Sequence, residues 1–485
     1  MLLWLLCAPG TLRADWPQFR GNNSDGRGTG VPPVKFSPQE NELWSTPVGP
    51  GHSSPCVRGH KLFITTFNEK ASTVCVECYD SRDGTQLWTT PFKVDTLETG
   101  HPSFNPASSS PCCDSKYVVA YFGSLGLICL NHEGETKWVK RLALTQSFGG
   151  NATSPIIHDN KVILYRGNYI DHYIACFDIA SGEELWKISQ TEKFTGEMAC
   201  TACPIVHGDQ LICHSARCVQ SFDISSGERN WIAQCATTAT STPIIVGSEV
   251  LVAAWNKLGE PDLRPPFPSF AELLASNDSD GSETIAKAEF PKLWIFHRPA
   301  GIEAPMNGAP VSFKQADKNR DGQIQRDEWQ RTTAELDKFR AGYETHGLLA
   351  IPLDSEGHIS ADEVRVLSKR GIPEVPSPVA ARGRVYLVKN GGQLSVIDIQ
   401  AAEIVHRMRT RGSGTHYASP VVANNRLYTF SGDGKVSVIG LEQDKPKLLH
   451  VNEIGDRIYA TPAIVEGVIF LRTHSTLYAF WQSTL

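Results

Sequence analysis

Residues 317–328 place oxygen-bearing side chains at every second position: Asp317, Asn319 and Asp321, then Gln323 and Gln325, with Glu328 closing the run. Gly322 stands at the sixth place, where a loop folding back on itself needs a residue without a side chain. This is D-x-[DN]-x-[DN]-G-x5-E, complete at every defining position. Calcium takes roughly six to eight hard oxygens. Asp317, Asn319 and Asp321 are the expected side-chain ligands. Gln323 would offer its backbone carbonyl, Gln325 would act through water, and Glu328 would close the site with both oxygens. Lys318 and Arg320 lower the charge of the loop and point to modest affinity.

Such a loop has to be held between helices. Phe313 precedes it as an anchor for the entering helix. Trp329, Leu336, Phe339 and Tyr343 follow at spacings that put them near one face of an exiting helix. Two weaker copies flank it at 278–289 and 352–363. The first has Asp278, Asp280, Ser282, Ile285 and Glu289 in acceptable places, but Glu283 where glycine is preferred. The second begins with Pro352 and closes with Glu363. The closing glutamates are 39 and 35 residues apart, as in successive EF-hands. Ile324 should pair with a partner loop, and the last copy is expected to serve as that packing partner.

Outside this region the chain is a repeat. A small residue or Ser/Thr, then Pro, then an apolar run occurs at Pro55, Pro111, Pro155, Pro204, Pro243, Pro378, Pro420 and Pro462. The successive intervals are 56, 44, 49, 39, 135, 42 and 42, so one is oversized by about 90 residues. In Ser419–Leu441, Pro420 opens an apolar strand, Asn424-Asn425 turns it, and Gly432-Asp433-Gly434 turns it again. Alternating residues give the strand period of two. Several units close on an Asp, a Gly turn and a Trp, at Trp88, Trp138, Trp186 and Trp231. These tryptophans are expected to pack one sheet on the next.

Eight four-stranded units describe an all-β, eight-bladed β-propeller with a small α-helical EF-hand insertion. The expected divisions are a signal peptide at 1–14, propeller at 15–255, insertion at 256–372 and propeller again at 373–485. Leu43-Trp44-Ser45-Thr46 is expected to complete the last blade against Leu477–Phe480.

The ASPVV…D-x-x-[ST]-G-[KE]-x-x-W unit resembles the PQQ-type propeller repeat. That repeat occurs in quinoprotein dehydrogenases and in BamB-like lipoproteins of outer-membrane assembly. Asp15-Trp16-Pro17-Gln18-Phe19-Arg20-Gly21 also resembles the opening of many exported bacterial propellers of this group. The resemblance covers roughly 15–255 and 373–485. It specifies the fold and leaves activity open.

Composition narrows the setting. With 41% hydrophobic and 20% charged residues, the chain is neither disordered nor a polytopic membrane protein. A net charge of −6 removes any electrostatic case for nucleic-acid binding. Leu2–Ala8 is too short to span a bilayer and reads as the core of a signal peptide, cleaved near Ala14. Thirteen cysteines, all before residue 236, suit an oxidising compartment. Cys75/Cys78 and Cys200/Cys203 have CxxC spacing; a disulfide or buried thiols is the preferred reading over zinc.

The expected function is a non-catalytic binding or scaffold protein of the periplasm or cell envelope, with calcium as ligand and a protein or peptide partner. The alternative is a PQQ-dependent quinoprotein dehydrogenase, for which the adjacent Cys112-Cys113-Asp114 is the tempting feature. That pair starts a blade strand, and its neighbours do not match the dehydrogenase stretch, so two residues facing opposite sides is preferred. Residues before the Pro motifs should line the mouth of the central channel: His52, Asn105, Asn151, Glu197, His416 and Arg457. Glu197 and His416 would be the acid and base of a hydrolase. No GxSxG, HExxH or phosphate loop accompanies them.

Overall fold

The unit around Pro420 shows how each blade is made. Val421–Ala423, Arg426–Phe430, Lys435–Gly440 and Lys447–Glu453 form one antiparallel sheet. Asn424 and Asn425 both take positive φ, 45° and 55°, as the two-residue turn of a hairpin requires. The computed structural model describes residues 15–190, 199–297, 308–443 and 445–482. Eight such sheets are present, and they form an eight-bladed β-propeller. The expected signal peptide at 1–14 lies outside the described residues.

Closure of the ring follows the expectation. Glu42–Pro47 pairs antiparallel with Thr476–Phe480, so an N-terminal strand completes the eighth blade. The tryptophans act as latches between blades. The indole of Trp44 donates to Ser81 O, Trp88 to His132 O, Trp138 to Ile179 O and Trp186 to Ile224 O, each in the following blade. Each ring also lies on a turn glycine of that blade. A Cβ on Gly84, Gly134, Gly182 or Gly227 would meet the indole at 2.5 to 2.9 Å. Trp231 is fully buried but its Nε1 has no partner, because the following blade is the interrupted one.

That interruption differs from the expected boundaries. Blade five consists of Ile244–Val246, Glu249–Ala254, Gly347–Pro352 and Arg365–Ser368. The insertion therefore leaves between the second and third strands of a blade and ends at residue 346, not 372. Gly347–Pro352 pairs residue for residue with Glu249–Ala254, and Gly357–Ile359 lies parallel to Trp231–Ala233 of blade four. The apolar run of 347–353 was disguised by the acidic loop behind it. The loop at 352–363 is thus a blade connection, with Pro352 inside a strand.

The insertion has its own core of Phe270, Leu273, Ile285, Val311, Ala316, Ile324, Trp329 and Leu336. It contains α1 (Phe270–Asn277), α2 (Phe313–Ala316) and α3 (Arg326–Ala341). Its root is tied to the propeller by Lys389 of blade six, which meets Glu260 at 2.9 Å. Because the second strand of a blade runs towards the channel mouth, the insertion rises from the mouth face.

Candidate calcium loops and the propeller centre

Ser312 caps α2, and α2 delivers Asp317 to the start of the loop. Gln325 and Glu328 form a capping box at the start of α3. The same residue that closes the loop therefore also nucleates the exiting helix. Glu328 is 1% exposed. Its Oε1 accepts from Lys318 N and Asn319 N at 2.9 and 3.0 Å, and Oε2 accepts from Gln325 N at 2.9 Å. Asp317 is also buried. Its Oδ2 accepts from Gly322 N at 3.1 Å, while its Oδ1 has no partner among the described residues. A buried carboxylate oxygen with no donor costs on the order of 1–3 kcal/mol or more, so this atom asks for a cation. Asn319 and Asp321 complete the loop, with Asn319 Nδ2 donating to Asp321 Oδ2 at 3.0 Å. Gln325 Nε2 donates to the same oxygen at 3.1 Å, and Asp321 Oδ1 accepts from Gln323 N at 2.8 Å. These residues fit calcium.

The loop at 278–289 is its partner. Ile285 pairs with Ile324 and Ala286 with Gln323 in a two-stranded ribbon. Thr284 Oγ1 donates to Gln323 Oε1 at 2.9 Å. The packing role therefore belongs to the first copy and not the last, since only the first brings an apolar residue to the eighth position beside Ile324. Asp278, Asp280 and Glu289 bring one carboxylate oxygen each within 4.8 Å of one another. Hydrogen bonds from Ser279 and Ala286 hold the Glu289 carboxyl down at about 2, so it is ionised at neutral pH. In contrast to the expectation, Phe339 of α3 is 40% exposed. The buried stripe is Glu328, Trp329, Thr332, Leu336 and Arg340, and Arg340 stacks on Phe267 at 3.8 Å.

At the propeller centre the residue before each proline has a role the sequence reading missed. Ser54 N donates to Ser110 Oγ, Ser110 N to Ser154 Oγ, Ser154 N to Cys203 Sγ and Cys203 N to Thr242 Oγ1. Thr242 N donates to Ser377 Oγ, Ser377 N to Ser419 Oγ, Ser419 N to Thr461 Oγ1 and Thr461 N back to Ser54 Oγ. Eight bonds of 2.8 to 3.2 Å close a circle. All eight residues are buried. The ring satisfies innermost N–H groups that no strand ladder reaches.

The expected mouth residues do not converge. His52 and Arg457 share a hollow of about 180 Å³ with Tyr459 and His474. His52 packs edge-on to Tyr459, and burial pushes its imidazole down to about 3. Asn105 Oδ1 accepts from Ala107 N in its own loop, and Asn151 reaches Tyr121 O at 3.5 Å. His416 is buried and also lowered by burial. Glu197 lies outside the described residues. Cys112 packs with Tyr121 and Tyr173, Cys113 with Cys56 and Val118, on opposite sides of one strand. Cys75 and Cys78 sit three apart on one strand and so face opposite ways. Among the described residues, those expected at the mouth do not gather around one shared space, and the vicinal cysteines face away from each other rather than into a common site.

Residues 70–266 match the family described as outer membrane protein assembly factor BamB, and residues 311–331 match EF hand. Over residues 70–266 the chain is similar to that family, and its fold is an eight-bladed β-propeller with an insertion that carries the EF-hand match. No curated protein matches it. Among solved structures, the europium-containing methanol dehydrogenase is 10% identical, covering 97% of this chain and 98% of that one with a TM-score of 0.55. A quinohemoprotein alcohol dehydrogenase from Pseudomonas putida HK5 is 12% identical, covering 97% and 81%, at 0.56. The computationally designed Ika8 protein is 10% identical, covering 91% and 100%, at 0.52. At these identities the likeness of the chain to each is one of fold.

Proposed function

We propose that this PQQ-like propeller is an exported, non-catalytic binding or scaffold protein of the cell envelope that uses calcium to build its mouth face. Asp317, Asn319 and Asp321 would hold the ion through side chains, Gln323 through its carbonyl and Glu328 through its carboxylate. The ion neutralises the buried acids and locks α3 to the loop.

The observation that carries the reading is the contrast at the mouth. The inner strands are tied blade to blade by a circle of hydrogen bonds and the vicinal cysteines are packed away, while the insertion rises from the mouth face with an unmet demand for a cation. The match over residues 70–266 is to a family described as an assembly factor, and the dehydrogenases agree in fold alone. No helix among the described residues is long and apolar enough to cross a membrane.

The test titrates PQQ into protein in millimolar calcium while following tryptophan fluorescence. No saturable quenching is expected. Saturation at micromolar PQQ would overturn the reading in favour of a quinoprotein dehydrogenase.

A further inference from the structure

The segment Trp16–Thr29 is a strap across the face opposite the mouth. Trp16 bonds Val57 of blade one in both directions, and Pro17 O accepts from Cys113 of blade two. Gly26 and Gly28 bond Val422 of blade seven, and Thr29 bonds Ile464 of blade eight. The strap therefore spans the ring, and Arg20 projects from its middle.

Arg20 is 0% exposed. Its Nη2 donates to Pro378 O, directly after the ring residue Ser377, and to Asp25 O at 2.9 Å. A Cβ on Gly26 would meet Arg20 Nη2 at 2.9 Å and Pro420 O at 3.1 Å. Cys203 of blade four is also within electrostatic reach. The guanidinium thus touches blade six, borders blade seven and is reached electrostatically from blade four, which puts it among the inner ends of these blades. It sits one residue below the hydrogen-bonded ring.

Two features of Arg20 are unmet. Its Nε and Nη1 have no partner. Among the described residues its charge has no bonded counterion either. Asp25, the nearest carboxylate, is half-buried and turns Oδ1 to Arg27 N at 3.1 Å. Burial lowers the guanidinium only to about 10, so it stays cationic at neutral pH. A buried charge without a partner is among the costliest arrangements in a protein. Above it stand seven hydroxyls and the Cys203 thiol, each oxygen or sulfur already accepting one N–H. Those hydroxyls retain a hydrogen to donate.

We propose that the propeller axis holds a small inorganic monoanion of the halide class, bound by Nε and Nη1 of Arg20 from below and by ring hydroxyls from above. Donors and a cation line the site, which excludes a metal ion. The full burial of Arg20 favours a small ion over an organic ligand.

Long-wavelength anomalous diffraction from native crystals grown in sodium chloride tests this without a variant. Cys203 Sγ in the ring is an internal standard. The expected result is a second anomalous peak of similar height within hydrogen-bond reach of Arg20 Nε and Nη1. A water without anomalous signal there, or the Asp25 carboxylate turned onto those atoms, would overturn it. In solution, the wild-type Tm should rise by about 2 °C in chloride over gluconate at equal ionic strength, and Arg20→Met should lose that rise. The same chloride dependence in both proteins would contradict the proposal; a variant that does not fold leaves the diffraction result to decide.

Discussion

The two loops of the insertion share a backbone plan and differ in where they keep their charge. In 278–289 the fourth residue is Gly281 and the sixth is Glu283; in 317–328 the fourth is Arg320 and the sixth is Gly322. All four take positive φ, between 57° and 88°. The acids of the first loop are exposed or half-buried and satisfied by backbone donors, as Asp278 is by Gly281 N and Ser282 N. The second loop buries Asp317 and Glu328 and leaves an oxygen unmet. Converged carboxylates at the surface can wait for a cation at little cost. Buried ones make the cation part of the fold. The account therefore expects two calcium ions per chain, bound unequally.

Ile285→Ala attacks what the loops have in common. It empties a fully buried position of the cross-loop ribbon, and should cost about 2–5 kcal/mol. Calcium titration should show both affinities falling together. If only one falls, the loops are independent and the pairing is idle.

Glu328→Gln separates them. At calcium about 100 times the Kd, a filled site contributes about 2.7 kcal/mol, and this variant should lose that increment. Melting scans with calcium and with chelator check it. Equal losses in both conditions would mean that Glu328 acts only as a helix cap.

Asp317→Asn should change sign with the ion. Without calcium it removes an unsatisfied buried charge and should be neutral or stabilising by about 1 kcal/mol; with calcium it should destabilise. Loss of stability in chelator would contradict the assignment. Glu289→Gln should have the smallest effect. Its carboxylate is solvent-facing, so stoichiometry should fall from two to one with little change in the chelated melting temperature. An unchanged count would show that the first loop only packs.

How much of this was legible in the sequence depended on distance along the chain. The ligands of 317–328 lie in one contiguous motif, and Asn424-Asn425 announces its own turn. The eight Pro motifs gave the blade count because repetition is local to each unit. The reason for Ser or Thr before seven of the prolines, and Cys203 before the eighth, was not legible. Each hydroxyl serves the N–H of another blade, from 39 to 407 residues away, and no pattern within one unit encodes that. Arg20 stood in a motif read only as an opening segment; that it reaches the inner ends of the blades depends on where the strap crosses the ring. The insertion boundary misled for the opposite reason. Asp354, Glu356 and Glu363 imitate a calcium loop, while Gly347–Pro352 pairs with strand Glu249–Ala254 across the whole excursion.

Isothermal titration of the full chain with calcium, after exhaustive chelation, tests the central claim most directly. The expected result is saturable binding of two ions, with the tighter site abolished in Glu328→Gln. No saturable binding at millimolar calcium would contradict it, and would leave Asp317 a buried charge without a reason.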